Sequence, residues 1–282
     1  MGKRVLPTST KGRDNILLQR NSTKKIMKIV EWLRLPEVRN IENLDAISTS
    51  VLHGRIIRKK GFLRKLYTDF YKQFLRSSKD LDGLLIELGS GGGFLKEVIP
   101  NVITSDILPV EGVDLCFSAL LMPFPNQTVS AFLMIDVLHH LPDSFLFFKE
   151  VNRCLKVGGK CVMIEPANTL WSRFVYQNLH HEDFDPNGEW GFEGRRPLSD
   201  ANGAIPWIIF CRDRKRFEKE FPDLKIAHLS FSTPFRYLLS GGLSVRSLVP
   251  SFFYNTIKGV EFLLSPLNRY LGMFMKIELE KK

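Results

Sequence analysis

The stretch LLIELGSGGGFLKEVIP, Leu84 to Pro100, limits the fold more than any other part of the chain. An apolar run ends in the acid Glu87, and Gly89, Gly91, Gly92 and Gly93 follow at once. Glycine loses the most backbone entropy of any residue in a strand or helix, and it alone reaches positive φ without strain, so the run predicts a tight turn that a ligand can approach closely. Strand, glycine turn and helix-like segment, in that order, describe the first crossover of an open sheet whose turn faces a bound group.

The remaining rhythm extends that crossover into a sheet. Residues 101–106, 113–118, 130–136 and 158–166 are short apolar or β-branched runs, most of them ending in an acid or a small polar residue. Between the last two, Phe145, Phe148, Val151 and Leu155 keep helical spacing. Strands alternating with crossovers predict an α/β fold, a doubly wound, mostly parallel sheet with helices on both faces. Residues 224–232 and the alternating GMFMKIELEK at 272–281 bring the strands to seven, the last expected antiparallel beside its neighbour. A connection rich in Gly, Pro, Asn and aromatic residues at about 167–211 interrupts the pattern after the fifth strand, and an apolar helical excursion spans about 234–267. Long ring-rich connections at the ligand edge of a sheet are usually functional.

With 44% hydrophobic and 25% charged residues in 282, the chain can bury a full core, and disorder is excluded as its main state. Cys116, Cys154, Cys161 and Cys211 show no C-x-x-C spacing, which favours free thiols over zinc or disulfides. No apolar leader and no run of ~18 uncharged apolar residues is visible, so a cytoplasmic protein is expected. Residues 1–80 hold 19 Lys and Arg against 7 Asp and Glu, a net of +12, whereas residues 81–282 are net −2. This divides the chain into a basic, helical N-terminal extension (1–80) and an α/β domain (81–282). In Arg55 to Lys79, apolar residues at three- and four-residue steps alternate with cations, an amphipathic helix whose basic face is either simply solvated or suited to anionic membrane. Nucleic acid is not expected as a partner, because large apolar residues interrupt the basic stretch and no RNA-binding module is visible.

The turn itself discriminates between ligands. A dinucleotide fingerprint would need glycine at position 94, where the chain has Phe94. Glu87 beside a pyrophosphate would cost about a kcal/mol or more, but beside an ammonium and a sulfonium it is favourable. Asp106, at the end of the second strand, is placed to accept both hydroxyls of a ribose. With IELGSGGGFL, SDILP and SALLMPFPNQTVSAFLMIDVLHHLPD followed by FKEVNRCLKVGGKCVMIEP, residues 84–166 resemble the class I S-adenosylmethionine-dependent methyltransferases, in particular the small-molecule branch that includes ubiquinone-biosynthesis methyltransferases. The resemblance implies that Glu87, Gly89, Gly91 and Gly93 line the methionine moiety of S-adenosylmethionine, Asp106 the ribose, Ser118 and Ala119 the adenine, and that Asp136 lies beside the methionine end. Ser118 departs from the family pattern, which has Asp at this position.

Methyl transfer from a sulfonium is an in-line displacement, in which positioning does most of the work and a base is needed only if the acceptor must lose a proton. His140 after the fourth strand, Glu165 at the end of the fifth and His181 in the HHEDFD run are the candidate catalytic residues. Neighbours in an extended segment point opposite ways, so at most one His and one acid of that run would converge, and no metal is assigned. A small-molecule or lipid-linked acceptor methylated at oxygen is the expected substrate, with peripheral contact at an anionic membrane as the expected consequence of a lipid-linked one; the alternatives are a methyltransferase acting on RNA or protein and a non-catalytic cofactor-binding domain at a membrane surface.

Overall fold

The computed structural model describes residues 31–39, 41–180, 182–194 and 196–282. Seven strands form one sheet: β1 (Leu84–Glu87), β2 (Ile103–Asp106), β3 (Leu115–Cys116), β4 (Val129–Ile135), β5 (Leu155–Pro166), β6 (Leu224–Ser232) and β7 (Phe274–Lys281). Their spatial order is β3-β2-β1-β4-β5-β7-β6. The first five pair in parallel, and β7 runs antiparallel between β5 and β6, as its terminal position predicted. The direction of the sequence reverses between β1 and β4, so the carboxyl ends of β1, β2 and β4 open onto one crevice, the place where open α/β sheets bind ligands. Every residue of β4 from Val129 to Met134 is buried, as a strand covered on both faces requires.

Five longer helices flank the sheet: α1 (Ile47–Lys59), α2 (Gly61–Ser78), α3 (Ser144–Cys154), α4 (Leu170–Leu179) and α5 (Tyr254–Leu263). On one face α3 places Phe147, Phe148 and Val151 against Phe210 and Phe217, with the Phe148 and Phe217 rings 5.1 Å apart. On the other, α2 buries Phe62, Leu63, Leu66, Phe70, Tyr71 and Phe74 in one cluster with Leu133, Val162, Ile164 and Phe274. At roughly 1.5–3 kcal/mol per buried large side chain, this stripe supplies a large part of what holds the helix to the sheet. The apolar stripe read from Arg55 to Lys79 is thus core. Several of its cations are tied to neighbouring chain: Lys60 donates to the carbonyls of Gly242 and Val245 (both 2.6 Å), Lys65 to that of Ser251 (2.9 Å), and Arg64 pairs with Glu97 (2.8 Å).

The helix expected after the glycine turn is one turn only, Leu95–Glu97. Pro100 has no N–H and its ring would clash with the carbonyl four residues back, so the segment stops there. The four cysteines are unpaired thiols, with Cys154 and Cys161 buried. Among the described residues no helix is long and apolar enough to cross a membrane.

Candidate active site

A cavity of ≈ 280 Å³ opens at the carboxyl ends of β1, β2 and β4, and the glycine turn forms its floor. The turn carries two left-handed residues, Gly89 (φ 63°) and Gly91 (φ 47°). A Cβ on Gly89 would stand 2.4 Å from Cγ2 of Val137, whereas one on Gly91 would meet nothing closer than Asp106 Oδ2 at 4.0 Å. Gly89 therefore serves packing, and Gly91 leaves its backbone open to a ligand. Gly93 is tight on two sides, with Ser90 O and the Tyr71 hydroxyl each 2.8 Å from such a Cβ.

Gly92 binds the turn to helix α1. A Cβ there would lie 2.3 Å from Gly54 Cα, and Arg58 donates to the carbonyls of Gly92 (2.7 Å) and Gly93 (2.8 Å). Backbone meets backbone at this point, so neither partner can move aside cheaply. Gly92→Ala should cost about 1–3 kcal/mol by overpacking and lower the melting temperature by several degrees, with Gly54→Ala acting in the same direction. Melting curves equal to wild type in both variants would refute the contact. Sequence reasoning missed this support, because Gly54 lies just before the stretch Arg55 to Lys79 that was read as helical.

Glu87 closes β1 on the cavity wall and is 5% exposed, and its Oε2 has no hydrogen-bond partner. Burial pushes this carboxyl up to about 7, against a hydrogen bond from Ser90 and with a further push from Asp106. A buried carboxylate oxygen lacking a donor is costly unless a ligand supplies one. Asp106 accepts the N–H of Gly91 at Oδ2 (2.8 Å) and of Leu108 at Oδ1 (2.9 Å), which fixes the carboxylate at the cavity edge with lone pairs to spare. Ser118 and Ala119 line the same cavity, and the Ser118 hydroxyl accepts the N–H of Leu120 (3.2 Å), leaving its proton free to donate. An unpaired acid for a cationic amino-acid end, an open glycine backbone and a second acid for hydroxyls together fit S-adenosylmethionine.

Beyond the turn, Asp136 and His140 line the cavity, joined by Tyr67 from α2 and by Phe192 and Leu198 from the insert. Asp136 sits in a left-handed conformation (φ 54°) at the end of β4. Burial raises its carboxyl to about 8; His139 opposes that, while Glu165 and Glu182 add to it. Burial lowers His140 to about 4, with a further push from His139 against the pull of Glu182. His140 Nδ1 lies 3.2 Å from the Asp200 carbonyl.

Glu165 is fully buried and is not part of the cavity wall. Its Oε1 accepts the N–H groups of Val137 (2.9 Å) and Leu138 (2.8 Å), and its Oε2 lies 2.7 Å from His139 Nδ1. The structure thus gives it the task of holding the turn after β4. His139 faces a second carboxylate, Glu182, at 3.4 Å. Burial works against its charge, yet the two glutamates outweigh burial and raise it well above the ordinary histidine range. His181 lies outside the described residues; its neighbour Glu182, in the same run, is brought to His139 and His140.

Residues 86–163 match the family described as "Methyltransferase domain". No curated protein matches the chain. Among solved structures, the chain is similar to a SAM-dependent methyltransferase from Archaeoglobus fulgidus, at 17% identity over 77% of this chain and 94% of that one, with a TM-score of 0.48. It is also similar to geranyl diphosphate C-methyltransferase from Streptomyces coelicolor A3(2), at 15% identity over 82% and 84% of the two chains and a TM-score of 0.45. A putative sarcosine dimethylglycine methyltransferase from Galdieria sulphuraria follows at 15% identity over 78% and 88%, with a TM-score of 0.42. Likenesses at this level say nothing about the acceptor.

Proposed function

The chain carries a class I S-adenosylmethionine-dependent methyltransferase domain, and we propose that it transfers the methyl group to an oxygen of a small-molecule or lipid-linked acceptor. The observation that supports this best is the continuity of one cavity from the glycine turn to Asp136 and His140, so that a cofactor-binding half and a half lined by acid–base groups share a single space. When bound, S-adenosylmethionine supplies a methyl group on a sulfonium, activated for displacement. Glu87 and the glycine backbone would hold its amino-acid end, Asp106 its ribose, and Ser118 and Ala119 its adenine. Phe192, Leu198 and Tyr67 would exclude water from the acceptor half. His140 would serve the loss of the acceptor's proton, and Glu165 would position the turn that carries it.

Labelled S-adenosylmethionine with candidate phenols, alcohols and carboxylic acids tests this directly. His140→Ala should lower turnover by about 10²–10⁴-fold while calorimetry gives cofactor affinity unchanged within a factor of two. Methyl transfer to nitrogen or carbon acceptors alone would overturn the oxygen assignment. Turnover undiminished in the variant would remove His140 from the chemistry.

A lipid-linked acceptor is supported by one surface. Phe252, Phe262 and Leu263 are 71–77% exposed on and beside α5, with Leu248, Val260 and Leu267 also exposed. A cluster of this kind marks an interaction site, and it is a better membrane contact than the stretch Arg55 to Lys79, whose apolar side is buried. Flotation with anionic vesicles should carry the wild-type chain, and Phe262→Asp with Leu263→Asp should release it while cofactor binding persists. A wild-type chain that stays at the bottom of the gradient would leave a soluble acceptor as the proposal.

A further inference from the structure

Three side chains from two distant parts of the chain converge behind the acceptor half of the cavity. His139 and His140 follow β4, and Glu182 comes from the insert. His139 Nε2 lies 3.4 Å from Glu182 Oε2, and His140 Nε2 lies 3.8 Å from Glu182 Oε1. One ligand atom from each falls within 4.8 Å of those of the other two.

The outer partners of the two rings fix what faces inward. Glu165 accepts two backbone N–H groups at Oε1 and stands 2.7 Å from His139 Nδ1 at Oε2, so His139 donates from Nδ1. The Asp200 carbonyl can only accept, so His140 Nδ1, 3.2 Å away, also carries its proton. In each ring Nε2 is then the nitrogen that faces Glu182. One cation can bridge the two ring nitrogens and the carboxylate. A proton on His139 Nε2 answers for one pair and leaves His140 at 3.8 Å without a bond. A single metal ion answers for all three. His180 stands beside the group, where its Nδ1 accepts the N–H of Glu182 (3.4 Å) and lies 3.7 Å from Glu182 Oε2.

We infer that His139, His140 and Glu182 bind a divalent cation of the zinc class, with Glu165 and the Asp200 carbonyl orienting the two imidazoles. Two imidazoles and a carboxylate suit such an ion better than magnesium or calcium, which take oxygen ligands. The observed separations are close to the roughly 3.3 Å expected between neighbours that share one tetrahedral zinc. Histidines that ligate through one nitrogen and donate from the other to a carboxylate or carbonyl are the usual arrangement at such sites. Three protein ligands leave a fourth position, and His140 puts the ion at the cavity wall, where an acceptor oxygen could take it. The inference deepens the proposed role of His140, which would then act through the ion, but the binding itself can be measured without any methyl transfer.

The full chain, dialysed against a chelator and then against zinc or cobalt, should retain one ion per chain by elemental analysis, and the cobalt form should show the intense visible bands of a four-coordinate ion. Glu182→Gln and His140→Ala should each weaken zinc binding at least a hundredfold, and Glu165→Gln by about 10–100-fold. Retained binding of S-adenosylhomocysteine shows that a variant is folded; should Glu182→Gln fail that check, His140→Gln is read in its place. No stoichiometric uptake by the wild-type chain overturns the site. So does uptake undiminished in the folded variants.

Discussion

Glu87→Gln should weaken S-adenosylmethionine binding by about 10–150-fold, the 1.5–3 kcal/mol of a hydrogen bond to a charged group, and at the same time stabilise the cofactor-free chain. The two effects share one cause. Glu87 is buried with Oε2 unpartnered, and burial holds its carboxyl at about 7. Its ordinary value is 4.5, so the folded chain binds more protons than the unfolded one between roughly pH 4.5 and 7, and stability falls as pH rises across that window. Above pH 7 the full deficit is present, a few kcal/mol by order of magnitude. Glutamine carries no charge and escapes most of it. A cationic ligand needs the ionised form, so wild-type affinity should be about tenfold weaker at pH 6 than at pH 8, a difference the glutamine variant should lose. Calorimetry at the two pH values and thermal melts at pH 8 read all three effects. A variant that melts lower than wild type, or binds as tightly, would show that Glu87 is a structural acid.

Part of this was legible in the chain before any coordinates. Glu87, the glycine turn and Asp106 are contiguous or strand-terminal, so local spacing places them, and the parallel sheet with its terminal antiparallel strand follows from alternation of short apolar runs. The acceptor side was less legible because it depends on contacts between distant segments. His140 could be placed at a strand end, but its neighbour Glu182 is forty-two residues away in sequence, in a connection without regular structure. Glu165 illustrates the opposite failure. Its position at the end of β5 pointed to the cavity, and only the coordinates show its oxygens directed at Val137, Leu138 and His139. Charge was the least transferable signal. The excess of Lys and Arg before residue 80 suggested a free basic face, yet Arg58, Lys60, Arg64 and Lys65 each meet a carbonyl or a carboxylate of the same chain, because a carbonyl at the end of a loop attracts a cation as a phosphate does.

That tie between the N-terminal helices and the C-terminal excursion centres on Arg236, and its removal should be the most damaging single change to stability. The side chain is 9% exposed, donates to Glu261 from Nε, and reaches Asp69 of α2 (2.7 Å) and the Tyr254 hydroxyl (2.6 Å) from one terminal nitrogen. Glu261 is 5% exposed and also accepts the N–H groups of Phe235 (2.9 Å) and Arg236 (2.8 Å). Arg236→Ala would strand Glu261 without its cation and leave Asp69 with Lys258 and Tyr254 alone, a loss of about 3–5 kcal/mol for a buried pair broken on one side. Arg236→Lys keeps the charge but has no planar fork to reach two carboxylates at once, so it should recover only part. Replacing Arg236 and Glu261 together by methionine should cost less than the alanine change, since no buried charge is then left alone. Urea denaturation of the three variants orders them. A loss under 1 kcal/mol for Arg236→Ala would mean that solvent reaches this cluster and that the apolar stripe of α2 alone holds the helix. The cofactor reports the same event by another route: α2 also presents Tyr67 and Tyr71 to the cavity, so a loosened helix should weaken S-adenosylmethionine binding in proportion to the lost stability, whereas a purely peripheral cluster would leave it unchanged.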